Sequence, residues 1–360
     1  MSVPDVIIVG AGIIGTSIAL ELRRRGADVL ILDRGEPGCE ASSAAAGMLA
    51  FADPETPLLL RPLALASAQL FPEYVAELEE SSGMKVDFRR QGTIAFLRGN
   101  EGPSPYRRLT SQELRELEPA LVTQGRAAFF AAEEASVDPP LLMQAALRSA
   151  ARYGIQVRGQ CAVDEITGNG PQVEVHTGTG TLTAKTVIDC RGAWSGAPIK
   201  PRKGQALYLQ PARAGVLEHV VTAPEVYLVP RSSGKIFAGA TVEDVGYDKT
   251  VEPKTIQEFH AAAARLVPQL EAATVIESWA GLRPGSPDNL PLLGATPTPG
   301  LFVASGHFRN GILLAPVTAR IMSDLVTGKP LVADIGAFSP QRFENPPQRH
   351  AGTEKSRAAD

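Results

Sequence analysis

The stretch from Asp5 to Asp33 restricts the fold of this chain more than any other. Asp5-Val6-Ile7-Ile8-Val9 is short, β-branched and apolar, and it ends at a glycine. That is the pattern of a parallel strand buried on both faces. Gly10-Ala11-Gly12-Ile13-Ile14-Gly15 follows, and Thr16 to Arg25 reads as a helix stopped at Gly26. Val29-Leu30-Ile31-Leu32 is a second buried strand, and Asp33 follows Gly15 by 18 residues. A lone G-x-G-x-x-G is a weak signal. Between a strand and a helix, with an acid closing the next strand, it is a dinucleotide-binding βαβ unit. Gly10 makes the tight turn, Gly12 admits a pyrophosphate close to the backbone, and Gly15 lets the helix approach the strand. The helix N-terminus offers free N–H groups and a partial positive charge to the phosphates. Asp33 can accept from ribose hydroxyls and disfavours a 2′-phosphate. The fingerprint does not separate FAD from NAD.

Later segments alternate between two kinds of pattern. Parallel-type strands are expected near residues 155, 187 and 301, and antiparallel strands over 85–98, around Gln91-Gly92, and over 204–241. Helices are expected over 62–80, from the capping box Thr110-Ser111-Gln112-Glu113 to Leu117, from Pro139 (capped by Asp138) to Tyr153, over Thr255–Leu266 and over Ile312–Val326. This interleaving implies a chain that crosses repeatedly between two units. The run Arg23-Arg24-Arg25 is expected to be a solvated helix end.

Composition narrows the partners. With 35 Lys+Arg against 39 Asp+Glu, there is no global electrostatic case for nucleic acid or an anionic membrane. No run of apolar residues is long enough for a transmembrane helix, and the N-terminus carries no secretory pattern. The three cysteines, Cys39, Cys161 and Cys190, form no C-x-x-C and no cluster with histidine. No metal site is therefore expected, and a reducing, cytoplasmic setting is the simplest reading.

Several further segments carry a family resemblance. Ser42-Ser43-Ala44-Ala45-Ala46-Gly47-Met48-Leu49 resembles the segment after the ribose acid in D-amino-acid-oxidase-type flavoproteins. Cys190-Arg191-Gly192-Ala193-Trp194-Ser195 is similar to a later strand end of that family. Gly281-Leu282-Arg283-Pro284-Gly285-Ser286-Pro287-Asp288 and Gly306-His307-Phe308-Arg309-Asn310-Gly311-Ile312-Leu313-Leu314-Ala315-Pro316 resemble its C-terminal signatures. Together they resemble most the glycine oxidases associated with thiamine thiazole synthesis, from Val6 to about Gly328. The implied fold class is α/β: a Rossmann-type FAD-binding domain with a parallel sheet, interleaved with an antiparallel-sheet substrate-binding domain. The implied boundaries are 1–84, 139–200 and 284–340 for FAD, 85–138 and 201–283 for substrate, and a flexible tail over 341–360.

The resemblance implies FAD as cofactor. The first group of contacts would be Gly10, Gly12, Ile13, Ile14, Gly15, Asp33 and Arg34. The small-residue segment would add Ser42, Ser43, Ala45, Ala46, Gly47 and Met48, and the middle of the chain Val163, Cys190, Gly192 and Trp194. Arg283, His307, Arg309, Asn310, Gly311, Ile312 and Leu313 would complete the set. Related sarcosine oxidases tether flavin to a C-terminal cysteine. This chain has none after Cys190, so non-covalent FAD is expected.

An amino-acid oxidase must hold an α-carboxylate, which suits the planar fork of arginine. Spacing alone leaves Arg283 equally open to an interdomain ion pair. The resemblance puts it in the carboxylate slot, with Tyr227 as a second contact and Arg309 lining the same cavity. The implied reaction is hydride transfer from Cα to flavin N5, with oxygen as acceptor and hydrogen peroxide as product. The substrates would be glycine, sarcosine or small D-amino acids, and the assembly a homo-oligomer. A dehydrogenase with another acceptor and a non-catalytic flavin binder stay open. Three positions depart from the family pattern. Val242 and Glu225 are expected to reshape the pocket, and Arg191 to turn to solvent or to a cofactor phosphate. Lys203 is open between a flavin-side cation and a surface residue. Trp194 and Trp279 are expected to pack, and His307 to orient backbone or cover the ring.

Overall fold

Val6–Val9, Val29–Leu32, Gln156–Arg158, Thr186–Asp189 and Leu301–Ser305 assemble into one parallel sheet. The computed structural model that defines it describes residues 3–97, 104–196 and 198–343. Leu292–Ala295 adds an antiparallel edge beside Leu301–Ser305 that the sequence reading did not foresee. The strand order places Val6–Val9 between Thr186–Asp189 and Val29–Leu32, so the glycine loop opens at the middle of the sheet. Helices Ile13–Arg24, Arg61–Ser82, Pro139–Arg152 and Gly311–Val326 bury their apolar faces together with this sheet in the largest core. On the other side, Ile7, Val9, Leu30 and Leu32 meet a three-stranded antiparallel sheet, Val163–Asn169, Gln172–Thr177 and Gly180–Ala184.

The second large sheet has eight strands and is mainly antiparallel. Its spine is the pairing of Lys200–Gln210 with Thr274–Gly285, continued by Ile236–Gly239, Val226–Pro230 and Val220–Ala223. Alternation along these strands separates two faces. Leu207, Leu209, Leu228, Ile236 and Ala238 pack under helix Pro253–Leu266. Ala206, Tyr208, Val229 and Phe237 form an opposite cluster, against which Tyr227, Trp279, Ala46 and Met48 pack.

The expected capping box at Thr110 and the Asp138 N-cap both form, each such cap contributing about 1 kcal/mol. Other expectations need correction. Phe88–Arg89 and Thr93–Ala95 do not pair with each other across Gly92. The first joins Ala135–Val137, and the second joins Phe129–Ala131 and, in parallel, Val220–Ala223, because each has its own sheet to complete. The arginine run is not merely solvated: Arg25 donates to Asp324 at 2.7 Å and Arg24 pairs with Glu77, tying three helices together. Residues Pro340–Phe343, where the flexible tail was expected to begin, form a 3-10 turn, and Arg342 pairs with Asp288. Residues 344–360 of that tail lie outside the described residues, as does residue 98 of the expected 85–98 strands. Among the described residues no helix is long and apolar enough to cross a membrane.

Candidate active site

A cleft of about 470 Å³ runs from the glycine loop to the aromatic face of the second sheet. At its first end the chain makes the close approach the fingerprint demands. Gly10 has φ +113°, and a Cβ there would overlap the Cys190 carbonyl; a Cβ at Gly15 would overlap the Gly10 carbonyl. The strand-to-helix turn is thus packed against the next strand end with no room for side chains. The Ile13 helix has no acidic residue in its own first turn. Asp33 accepts from the Ala11 N–H at 2.7 Å and from the Gly35 N–H at 2.9 Å, one bond to each oxygen. Each oxygen keeps acceptor capacity toward the cleft that it lines.

Ser42 accepts from the Ile13 N–H at 2.9 Å, fastening the small-residue segment to the helix start. That segment is fixed from the other side too. Trp279 donates to the Ala44 carbonyl at 3.1 Å, and the buried Arg231 donates to the Ala46 carbonyl at 2.6 Å. Trp279 therefore packs, as expected. Trp194 has more than packing to do: it lines the cleft, with the Arg34 guanidinium 4.4 Å above its ring.

At the far end, Arg283 comes from the long strand Thr274–Gly285. Its Nη1 donates to the Thr241 carbonyl at 2.9 Å. The guanidinium lies over Gly204 on the paired strand, so closely that a Cβ at that position would overlap it. Tyr227 stacks on Phe237 at 5.8 Å and lines the same cleft. The two C-terminal signatures meet because Gly285 bridges His307 and the Phe308 N–H donates to the Pro284 carbonyl at 2.9 Å. This brings Arg309 into the cleft wall. Asp53 at 3.2 Å and Glu55 both pair with it. Burial opposes the Arg309 charge, but Asp53 and Glu55 hold its pKa above the ordinary value. Helix Gly311–Val326 also starts at the cleft, with Gly311 and Ile312 in its wall and no acid in its first turn.

Most of the sequence-nominated residues share this one cleft. Gly10, Gly12, Ile13, Ile14, Asp33, Arg34, Ser42, Ala45, Ala46, Gly47, Met48 and Val163 line it, as do Cys190, Gly192, Trp194, Tyr227, Arg283, His307, Arg309, Gly311 and Ile312. Gly15, Ser43, Asn310 and Leu313 do not. Gly15 serves packing, Ser43 donates to the Gly38 carbonyl, Asn310 precedes the helix as its cap position, and Leu313 is core. His307 turns its imidazole inward, Nε2 lying 3.1 Å from the Thr318 hydroxyl, and burial pushes its pKa down to about 3. It is held neutral and structural. Cys190 is buried, and burial together with Asp189 pushes its thiol well up, so it offers no thiolate.

Two of the three departures resolve differently from expectation. Glu225 leaves the cleft and pairs with Arg126 at 2.9 Å; Val242 is 57% exposed, and neither lines the cavity. Arg191 lines the cleft, consistent with the cofactor-facing alternative and not the solvent one, and its guanidinium also makes a two-pronged pair with Asp189, at 3.1 and 2.8 Å. Lys203 is neither in the cleft wall nor on the surface: it is 2% exposed, between Glu243 and Asp248. Residues that the motifs missed are Gly204, Phe237, Ala240, Asp53 and Glu55. Gly204 alone carried a signal, as a glycine in an otherwise regular strand.

A dinucleotide cradle with an arginine and a second acid-free helix start at its far end is the frame of a flavin-dependent oxidoreductase. The cradle fits FAD: close backbone at Gly10, spare Asp33 acceptors, and a positive helix end where the flavin ring would gain charge. The comparisons agree. The family described as FAD dependent oxidoreductase (DAO) matches residues 5–325. A glycine oxidase from Geobacillus kaustophilus is 35% identical over 364 residues, covering 93% of this chain and 96% of that protein. The crystal structure of glycine oxidase from that species superposes with a TM-score of 0.91 at 33% identity, over 95% of this chain and 99% of that one. A bifunctional protein ThiO/ThiG from Nostoc is 34% identical over 89% of this chain, which spans only 52% of that longer protein. An iminodiacetate oxidase from Chelativorans superposes with a TM-score of 0.84 at 28% identity, over 93% of this chain and 98% of that one. The chain belongs to the DAO family of FAD-dependent oxidoreductases, and its fold class is the one its motifs implied.

Proposed function

We propose that this chain oxidises glycine and related small amines, including sarcosine and small D-amino acids, to the 2-oxo acid. For glycine the balance is glycine, oxygen and water to glyoxylate, ammonia and hydrogen peroxide. The observation that carries this reading is the convergence of Arg283, Tyr227 and the Gly311 helix start on one cleft. FAD, when bound, would supply a two-electron acceptor that oxygen can reoxidise. The chain's own residues do the rest. Arg283, pinned by the Thr241 carbonyl, presents its remaining donors to the α-carboxylate, and the Tyr227 hydroxyl offers a second donor. The aromatic wall of Phe237 and Tyr227 keeps the space small and apolar, which orients a short substrate and excludes water. The His307 imidazole is bonded inward to Thr318 and is not assigned a base role; the amine is taken to arrive neutral, as in the mechanism the resemblance implies.

Arg309 sets the charge limit of the site. Asp53 and Glu55 already occupy its guanidinium, which leaves one available fork for substrate carboxylate. Monocarboxylates should therefore be preferred over a dianion such as iminodiacetate. Replacing both acids (Asp53→Asn with Glu55→Gln) should raise kcat/KM for iminodiacetate relative to glycine by up to about fivefold, the scale of a partly exposed ion pair. Steady-state peroxide release with glycine, sarcosine, D-alanine and iminodiacetate checks both statements. Peroxide from none of them would remove the oxidase reading. An unchanged substrate ratio in the double variant would remove the role given to Asp53 and Glu55.

A further inference from the structure

The segment Thr241–Glu252 crosses the outside of the cleft, and both of its ends are stapled to one strand. At its start the Thr241 hydroxyl accepts from the Gln205 N–H at 3.0 Å and donates to Glu243. At its finish the Glu252 N–H donates to the Gln205 side-chain carbonyl at 2.7 Å. Between them, Lys203 and Glu243 exchange backbone hydrogen bonds at 3.0 and 2.9 Å. The Lys203 ammonium, buried under the segment, lies 3.5 Å from a carboxylate oxygen of Glu243 and 3.5 Å from one of Asp248. Gln205 adds a side-chain bond to Glu243 at 2.9 Å. A buried lysine shared by two acids from one loop ties that loop to its strand, because the buried ammonium has those two acids as its counter-charges.

What the loop touches is the cleft at both ends. The Thr241 carbonyl is the acceptor that pins Arg283. Some residues later, Tyr247 stacks on Trp194 at 5.6 Å and donates its hydroxyl hydrogen to the Ala193 carbonyl at 3.0 Å. Lys249 reaches Glu40 at 3.0 Å. Trp194, Ala193 and Glu40 all line the cleft beside Arg34 and the ribose acid. Trp194 is thus in contact both with Arg34, which lines the cleft, and with the exposed Tyr247.

We propose that residues 241–252 form a strap that retains FAD through Tyr247 and Lys249 and positions Arg283 through Thr241, with Lys203 as the positioning residue that holds the strap. The FAD half stands on the cofactor alone; the Arg283 half rests on the carboxylate-clamp reading given above. The strap explains why a lysine in a cofactor-facing strand is turned away from the cofactor: its charge is used to fix a loop that closes both ends.

The test uses the full chain and two readouts besides turnover. FAD affinity is measured by reconstituting apoprotein and following flavin fluorescence. Carboxylate affinity is measured by titrating holoprotein with acetate and following the flavin visible spectrum. Tyr247→Ala should raise the FAD Kd about tenfold, the scale of one aromatic contact and one hydrogen bond, and leave the acetate Kd within about twofold. Lys203→Met should raise both, and Lys203→Arg should recover part of each. Wild-type FAD affinity in both Tyr247→Ala and Lys203→Met would overturn the strap. If Lys203→Met does not fold, Tyr247→Ala and Lys249→Ala decide the FAD half. Acetate that leaves the wild-type spectrum unmoved would defeat the clamp reading of Arg283 while the FAD measurements still judge the strap.

Discussion

Replacing Arg283 with methionine is expected to lower kcat/KM for glycine by about 10²–10³-fold while FAD stays bound. The side chain enters the cleft from a strand paired along its whole length with Lys200–Gln210, so its backbone is fixed. One guanidinium nitrogen is committed to the Thr241 carbonyl, and the rest of the fork is what a substrate carboxylate would meet. Truncating one partner of a desolvated charge pair costs roughly 2–5 kcal/mol. With about 1.4 kcal/mol per tenfold in rate, the predicted loss follows. Arg283→Lys keeps the charge without the planar fork and should recover only part of it. Steady-state kinetics checks this, with the flavin spectrum as the control for a loaded site. A kcat/KM within about threefold of wild type, on the same rate scale, would show that the carboxylate is held elsewhere.

Gly204→Ala is expected to lower kcat/KM for glycine by about 10²-fold, although the added group is one methyl, because a misplacement of about 1 Å can cost that much. The Cβ would fall on the Arg283 guanidinium, and the Thr241 bond prevents the fork from yielding freely. The effect should act through Arg283 alone. In an Arg283→Met background the same substitution should therefore cost little more, a non-additivity that a double-mutant cycle reads directly. Full additivity of the two losses would mean that Gly204 serves something other than the arginine.

The local code carried the dinucleotide half of this molecule. The buried strands, the glycine spacing and the ribose acid lie within a few tens of residues, and each is dictated by its neighbours: Gly10 and Gly15 touch backbone that the same βαβ unit and the next strand provide. The C-terminal signatures were legible for a similar reason, since Arg283 and Arg309 belong to segments joined by the Gly285–His307 bridge. Most of the misreadings involve partners remote in sequence. Glu225 falls two residues before a cleft-facing tyrosine, which suggests the same face, but Arg126 draws it away beyond the strand end. Lys203 stands in a polar-looking run, and it is buried only because Glu243 and Asp248 arrive on a loop some forty residues later. Phe88–Arg89 and Thr93–Ala95 read as a hairpin, yet other strands complete their sheets first. Arg191 is countered by Asp189 two residues back, a pair available to the eye only once the strand end is known to curl.

The most direct test of the central claim is anaerobic mixing of the yellow holoprotein with glycine, sarcosine and D-alanine in turn, with the flavin visible absorbance followed in time. The account predicts rapid bleaching with glycine, and on admitting air, return of the colour with one hydrogen peroxide formed per flavin reoxidised. Bleaching without peroxide on aeration would place the electrons on another acceptor. No bleaching with any of the three would contradict the account, leaving an FAD protein whose Arg283 cleft serves a different substrate.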